Sequence, residues 1–350
     1  EEAMKRTLPL MLALLLALSA CGAANESVPG AAEKPEVTVT PSPSSTPTSS
    51  TVPSPTPIAG TVYSNDELGF TLQIPDFIAQ DVAAGFGVPY FNEEGPSVSF
   101  YYLPVGQGHG LLFSIAVAPR DALFDADAWY NGIREPWTVI ALNAERAYLR
   151  IPFIGGPDSG REMLEEYLAA AEEFSAEYLR GCMEIEGADS IPELTADAVL
   201  AEIAALEAAP DETFTRAEGA VWAFDLLTAD NKENEYPLNF SDVEAGTEAA
   251  HAIAYLDSYG FFEGTGEEFR PNEPFTRAEF VQLLQRLMYV PWPQWYGEEL
   301  PAADAGRTHW AWDYLNCAYQ DGWLEIDGNG RIRPDEAVTA AEMAHALREV

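Results

Sequence analysis

The chain has 350 residues, with 57 acidic against 18 basic side chains, a formal charge of −39 and a pI near 4.1. Such a polyanion has no basic face for a phosphate backbone and gains nothing from counterion release, so nucleic-acid binding is excluded. Apolar residues, 47% of the total, suffice for packed cores, and three cysteines, Cys21, Cys182 and Cys317, make neither a disulfide framework nor a paired zinc spacing.

Met4 reads as the natural start. Lys5 and Arg6 precede an apolar run from Leu8 to Leu18 that is too short to span a bilayer, and small residues follow, which together make an export signal. Leu18-Ser-Ala-Cys21 resembles the lipobox of bacterial lipoproteins. The resemblance implies that residues 1–21 are a lipoprotein signal and that Cys21 carries the lipid that attaches the protein to the membrane. Residues 22–60 are rich in Pro, Ser and Thr without apolar periodicity, so they read as an extended spacer. Cys182 and Cys317 are expected to be unpaired buried thiols.

Residues 61–187 read as an α+β domain. Strands are expected at 68–74, 97–103, 111–118, 138–142 and 147–151, rich in β-branched and aromatic residues between turn signals. One helix is expected over 161–180, with Met163, Leu164, Tyr167, Leu168, Ala171, Phe174 and Tyr178 facing the sheet. The opening segment from Tyr63 to Pro75 resembles the start of small extracytoplasmic domains with a PsbP-like sheet-and-helix fold. No catalytic residue is assigned. His109 is alone in the Gly-rich turn 106–110, which opens into a strand rather than a helix, and the pairs Glu93-Glu94 and Glu165-Glu166 read as solvated surface.

The remaining sequence repeats itself. Pro210-Asp-Glu-Thr-Phe-Thr-Arg-Ala-Glu218 returns as Pro271-Asn-Glu-Pro-Phe-Thr-Arg-Ala-Glu279 and as Pro334-Asp-Glu-Ala-Val-Thr-Ala-Ala-Glu342. Each Thr-x-x-Glu is a capping box, so Thr215/Glu218, Thr276/Glu279 and Thr339/Glu342 are expected to start helices. Ahead of the second and third copies lie Phe240-Ser-Asp-Val243, Gly260-Phe-Phe-Glu-Gly264 and Phe269-Arg-Pro271, and then Asp304, His309-Trp-Ala-Trp312, a Gly-rich loop from Gly322 and Ile332-Arg-Pro334. In this order the motifs resemble consecutive S-layer homology modules, at 188–232 (degenerate), 233–292 and 293–350. The expected fold is therefore multi-domain, an α+β sheet-plus-helix domain followed by an all-α bundle of three modules.

An arginine at the first position of a helix lies against the positive end of the helix dipole, which costs a few tenths of a kcal/mol, so architecture alone does not favour it. Free first-turn amides beside a guanidinium suit a small carboxylate. The resemblance supplies one: such modules bind secondary cell-wall polysaccharide carrying a pyruvate ketal. Arg216 and Arg277 are the expected pyruvate-binding residues, with Trp310 as a weaker sugar-stacking candidate. The third copy has Ala340 in place of the arginine and reads as structural or as a weak site. Asp327-Gly-Asn-Gly330 reads as a turn rather than a calcium loop, His251, His309 and His345 stand singly, and no metal or cofactor is expected. The function implied is that of an extracytoplasmic, wall-associated lipoprotein presenting a small domain. The alternative makes 61–187 a hydrolase or solute-binding domain that the repeats merely anchor. Oligomeric state is left open.

Overall fold

The computed structural model describes residues 56–86, 96–105, 110–124, 137–152, 161–290 and 299–350, with only the backbone of Phe86, Val105 and residues 161–166. The export signal with Cys21, most of the spacer, Glu93-Glu94 and His109 lie outside the described residues, as do the side chains of Glu165 and Glu166.

Short strands β1 (Thr56–Pro57), β4 (Val82–Phe86), β5 (Ser97–Tyr102), β6 (Gly110–Pro119), β7 (Thr138–Leu142) and β8 (Arg146–Pro152) form an antiparallel sheet in the order β1-β4-β5-β6-β8-β7. A second sheet, β2-β3-β9, pairs Val62–Asn65, Phe70–Gln73 and Met183–Ile185. The strands expected at 97–103, 111–118, 138–142 and 147–151 form within a residue or two of those limits. Strand β4, Val-Ala-Ala-Gly-Phe, escaped the reading because its small residues carry little β-propensity; it forms because it pairs with β5 along its whole length.

The expected single helix is two, α1 (Arg161–Glu173) and α2 (Ala176–Cys182). Ser175 interrupts the run by capping α2, accepting a hydrogen bond from the Tyr178 amide. The break shifts the helical phase. Tyr167, Ala170 and Phe174 are buried on the sheet, but Leu179 replaces Tyr178 in the core and Leu168 is exposed.

Both faces of the large sheet are covered. On β8, Tyr148 joins the core beneath α1 and α2, while Ala147, Leu149 and Ile151 point the other way. That second face belongs to one apolar cluster with the C-terminal helices. Burial on both sides explains the nearly unbroken apolar run of β6, Leu111 to Ala118.

The C-terminal region contains α3 (Ala196–Ala208), α4 (Arg216–Leu226), α5 (Glu248–Ser258), α6 (Arg277–Leu287), α7 (Trp312–Gln320) and α8 (Ala340–Glu349). It is not all-α. Strands β10 (Glu193–Leu194) and β11 (Leu227–Thr228) pair with each other, and isolated bridges join Thr213 to Thr339, Thr215 to Pro274 and Thr276 to Ala337. The extended residues ahead of each helix leave backbone groups that the neighbouring repeat satisfies. Helix α5 packs on α4, α7 on α6 and α3 on α8, so each repeat's first helix lies against the second helix of another repeat, and the last repeat returns to the first.

Sheet and repeats meet at the turn after β6. Buried Arg120 donates through Nε to the Ser258 carbonyl (3.1 Å) and through Nη1 to that of Asn143 (3.2 Å), and lies 4.4 Å over the Tyr259 ring. Phe124 is buried between Trp137, Phe261 and Tyr289, with ring centroids 5.9 to 6.3 Å away. Because this contact is continuous core, Phe124→Ala is expected to cost ~3 to 5 kcal/mol and to lower the melting of sheet and helices together. Circular dichroism and tryptophan fluorescence should follow one transition in both proteins; a shift confined to one of two resolved transitions would contradict it.

Candidate functional site

The second helix of each repeat starts in the same way. Thr215, Thr276 and Thr339 have extended backbones, accept from the amides of Glu218, Glu279 and Glu342, and receive each glutamate's carboxylate on their own amides. These are the three capping boxes expected. The two amides before the glutamate are also occupied, contrary to the expectation of free donors for a ligand. Arg216 and Ala217 donate to the carbonyls of Glu273 and Pro271 (2.9 Å each), Arg277 and Ala278 to those of Glu336 and Pro334 (3.0 Å each), and Ala340 and Ala341 to those of Glu212 and Pro210 (2.8 and 3.0 Å). Repeat one thus leans on two, two on three and three on one. Orphan helix-start amides are the groups most in need of partners, and here carbonyls of another repeat supply them.

The arginines follow the same direction. Arg216 is 2% exposed and Arg277 3%. Arg216 donates to the Phe269 carbonyl (2.7 Å), the Glu263 carbonyl (3.0 Å) and the Glu279 carboxylate, between the rings of Phe262 and Phe269 at 4.6 Å. Burial pulls its affinity for the proton down, and the Glu279 charge opposes that. Arg277 donates from Nε and Nη2 to Glu342 Oε1 (2.9 and 2.6 Å) and from Nη1 to the Arg333 carbonyl (3.4 Å). All three nitrogens of both guanidinium groups are engaged within the chain, so neither arginine is a free anion receptor. Two of the three cap glutamates, Glu279 and Glu342, do two jobs: one oxygen closes its own helix and the other holds the arginine of the preceding repeat.

Sequence reasoning overlooked two aspartates and two arginines. Asp242 accepts from the amides of Phe269 (2.8 Å) and Arg270 (2.7 Å), and Asp304 from those of Ile332 (3.0 Å) and Arg333 (2.9 Å). They pin the Phe-Arg-Pro and Ile-Arg-Pro segments. Arg270 and Arg333 then stand beside the buried pairs, 3.7 Å from Glu279 and 3.3 Å from Glu342. The recurrence of Asp and of Arg-Pro in matching places was the signal available.

Between the second and third repeats a cavity of about 300 Å³ is lined by Arg277, Trp323, Asp327, Arg333, Glu342 and His345. Asp327 closes its turn by accepting from the amides of Asn329 (2.8 Å) and Arg331 (3.1 Å), and these bonds hold its carboxyl below the ordinary range. A second cavity of about 480 Å³ is lined by first-repeat residues Glu202, Glu212, Phe214, Glu218, Trp222 and Asp225 together with Glu248 of the second repeat. Trp310 is 57% exposed, its ring 5.9 Å from that of His309, whose Nε2 meets Asp335 at 3.2 Å. Cys317 is buried, which pushes its thiol up to about 12, whereas Cys182 is only half-buried.

Residues 239–281 and 303–344, which fall in the second and third repeats on either side of the 300 Å³ cavity, match the family model of the S-layer homology domain. These repeats are S-layer homology domains. The chain is also similar to an amylopullulanase of Thermoanaerobacterium thermosulfurigenes, 32% identical over 39% of the chain and 7% of the relative. An endo-1,4-beta-xylanase A of Thermoanaerobacterium saccharolyticum is 35% identical over 30% of the chain and 9% of its own length, and a cell surface protein of Thermoanaerobacter kivui 30% identical over 31% and 15%. The chain thus spans a small fraction of these relatives, through its S-layer homology region.

Two outcomes follow from the geometry. Arg216→Met strands Glu279 and should cost ~3 kcal/mol. In a double-mutant cycle with Glu279→Gln the pair should couple by ~1 kcal/mol or more, and denaturant midpoints showing simple additivity would refute the pairing. Burial raises the Asp242 carboxyl, but the amides of Phe269 and Arg270 outweigh that, so its folded value lies below its unfolded one. Its stabilisation is therefore present above about pH 4 and is lost as pH falls through the lowered value. Melting temperatures taken from pH 5 to 2 should fall less steeply for Asp242→Asn than for the parent.

Proposed function

We propose that the repeats hold this protein, without a covalent bond, on an acidic secondary cell-wall polysaccharide outside the membrane, the acidic group being a pyruvate ketal. The observation that carries this reading is the cavity between the two matched domains, which combines arginines with an aromatic side chain and carboxylates. Carboxylates accept from sugar hydroxyls and guanidinium groups donate to the acid, and 300 Å³ suits one sugar unit rather than a long chain. Arg277 contributes positive potential from beneath the cavity, and Arg216 does the same in the groove before it. Exposed Trp310 offers a stacking face for a further sugar.

In the same reading Cys21 carries lipid, the residues from 22 up to β1 span outward, and the sheet domain is presented in fixed orientation because it shares core with the repeats. Nothing in this role asks for chemistry from residues 61–187. The similarity to a cell surface protein supports the location.

The test is co-sedimentation of the full chain with purified wall sacculi. Retention is expected, with loss after mild acid removal of ketals and a several-fold drop for Trp310→Ala. Equal recovery in the supernatant with and without sacculi would end the proposal. Cys21→Ser should release the protein from membranes once the wall is digested.

A further inference from the structure

Each of the two arginine-bearing grooves holds a second arginine in a different condition from the first. Arg270 and Arg333 have φ of 62° and 53°, the left-handed region that glycine and asparagine occupy at least cost. Both stand immediately ahead of a proline, Pro271 and Pro334, which pushes the preceding residue toward extended backbone. The backbone preference of arginine does not explain its presence at either place; the two hydrogen bonds that its own and the preceding amide donate to Asp242 or Asp304 hold it there against that preference. Unfavourable backbone held by its surroundings is a mark of a functional position.

The side chains differ as well. Those of Arg270 and Arg333 are 37% and 34% exposed, against 2% and 4% for Arg216 and Arg277. Arg270 donates from Nη1 to Glu273 at 3.2 Å and Arg333 from Nη2 to Glu342 at 3.3 Å, and their further carboxylate neighbours lie at 3.7 Å, too far for a hydrogen bond. The Nε of each is buried with no hydrogen-bond partner. The inner arginine of each pair is saturated by the cap glutamate and backbone carbonyls, whereas the outer one keeps unused donors and is partly exposed, and Arg333 lines the cavity beside Trp323 and His345. The third groove has neither. Ala340 stands for the inner arginine, and Ala209, with φ of −137°, precedes Pro210 in place of the outer one.

We infer that Arg270 and Arg333, rather than Arg216 and Arg277, make the direct contact with the acidic group of the wall glycan, so that the chain has two sites and not three. This rests on the reading of the repeats as glycan-binding. The contact group is an oxyanion, carboxylate or phosphate, taken by the free edge of the outer guanidinium. The inner pair forms the floor: charge-compensated, structural, and coupled to the outer arginine through the shared glutamate.

The test uses the full chain with sacculi in three forms: untreated, freed of ketals by mild acid, and freed of phosphate-linked polymers. Arg270→Asn and Arg333→Asn suit the left-handed backbone, so their melting temperatures should equal or exceed the parent's. Each should weaken retention several-fold and the pair at least tenfold, and calorimetry with solubilised glycan fragments should fall from two sites per chain to one in each single variant. Arg270→Gln and Arg333→Gln repeat the measurement with a side chain whose backbone cost matches that of arginine. Loss of binding on ketal-free sacculi alone identifies the carboxylate, and loss on phosphate-free sacculi alone identifies the phosphate. A folded double variant retained like the parent overturns the inference and leaves the glycan-binding proposal standing; a parent that never sediments overturns both.

Discussion

Helix-start amides are the least satisfied groups of any helical fold, and in this molecule three sets of them decide how the repeats assemble. Each set points at the Pro-x-Glu carbonyls of another repeat, and the third set returns to the first. The capping glutamate is the hinge of the arrangement. In Glu279 and Glu342 one oxygen serves the local helix and the other takes the guanidinium of the preceding repeat, so at these two joints local helix initiation and repeat-to-repeat contact depend on one carboxylate. A repeat removed from this cycle would leave buried amides and a buried charge without partners, which is why the repeats are expected to fold as a set.

The cycle is closed but not uniform. Ala340 replaces the arginine in the third repeat, and the Gly-rich loop that precedes the Arg-Pro segments elsewhere has no counterpart between α3 and Pro210. Backbone closure survives the loss because it runs through amides and carbonyls, whereas the charge network does not. For a chain with 57 acidic and only 18 basic residues, placing Arg120, Arg216, Arg277 and Arg286 in the interior is informative. Scarce cations are spent on internal joints, and arginine suits such joints because its planar fork satisfies several acceptors at once.

The sheet domain is part of the same construction. Its second face is packed by the helices of the repeats, and Arg120 and Phe124 reach into the turn around Gly260. An added Cβ on Gly260 would meet the Asp121 carbonyl at 3.2 Å, and its φ of 66° already calls for glycine. Shared core of this kind fixes the orientation of the sheet domain relative to the repeats.

Period and local chemistry were legible in the sequence alone. β-Branched and aromatic runs between turn signals placed β5 to β8, Thr-x-x-Glu placed three helix starts, and the recurrence of the Pro-x-Glu and Arg-Pro segments revealed the repeats, because each signal is carried by residues within a few positions of one another. Partners distant in the chain were not legible. The break at Ser175, the engagement of Arg216 and Arg277 by Glu279 and Glu342, and the left-handed backbones of Arg270 and Arg333 were settled only by packing. A helix-start arginine reads the same in sequence whether it faces solvent or a carboxylate more than sixty residues away. Only the folded chain decides, because burial removes water and makes the nearest acceptor the one that counts.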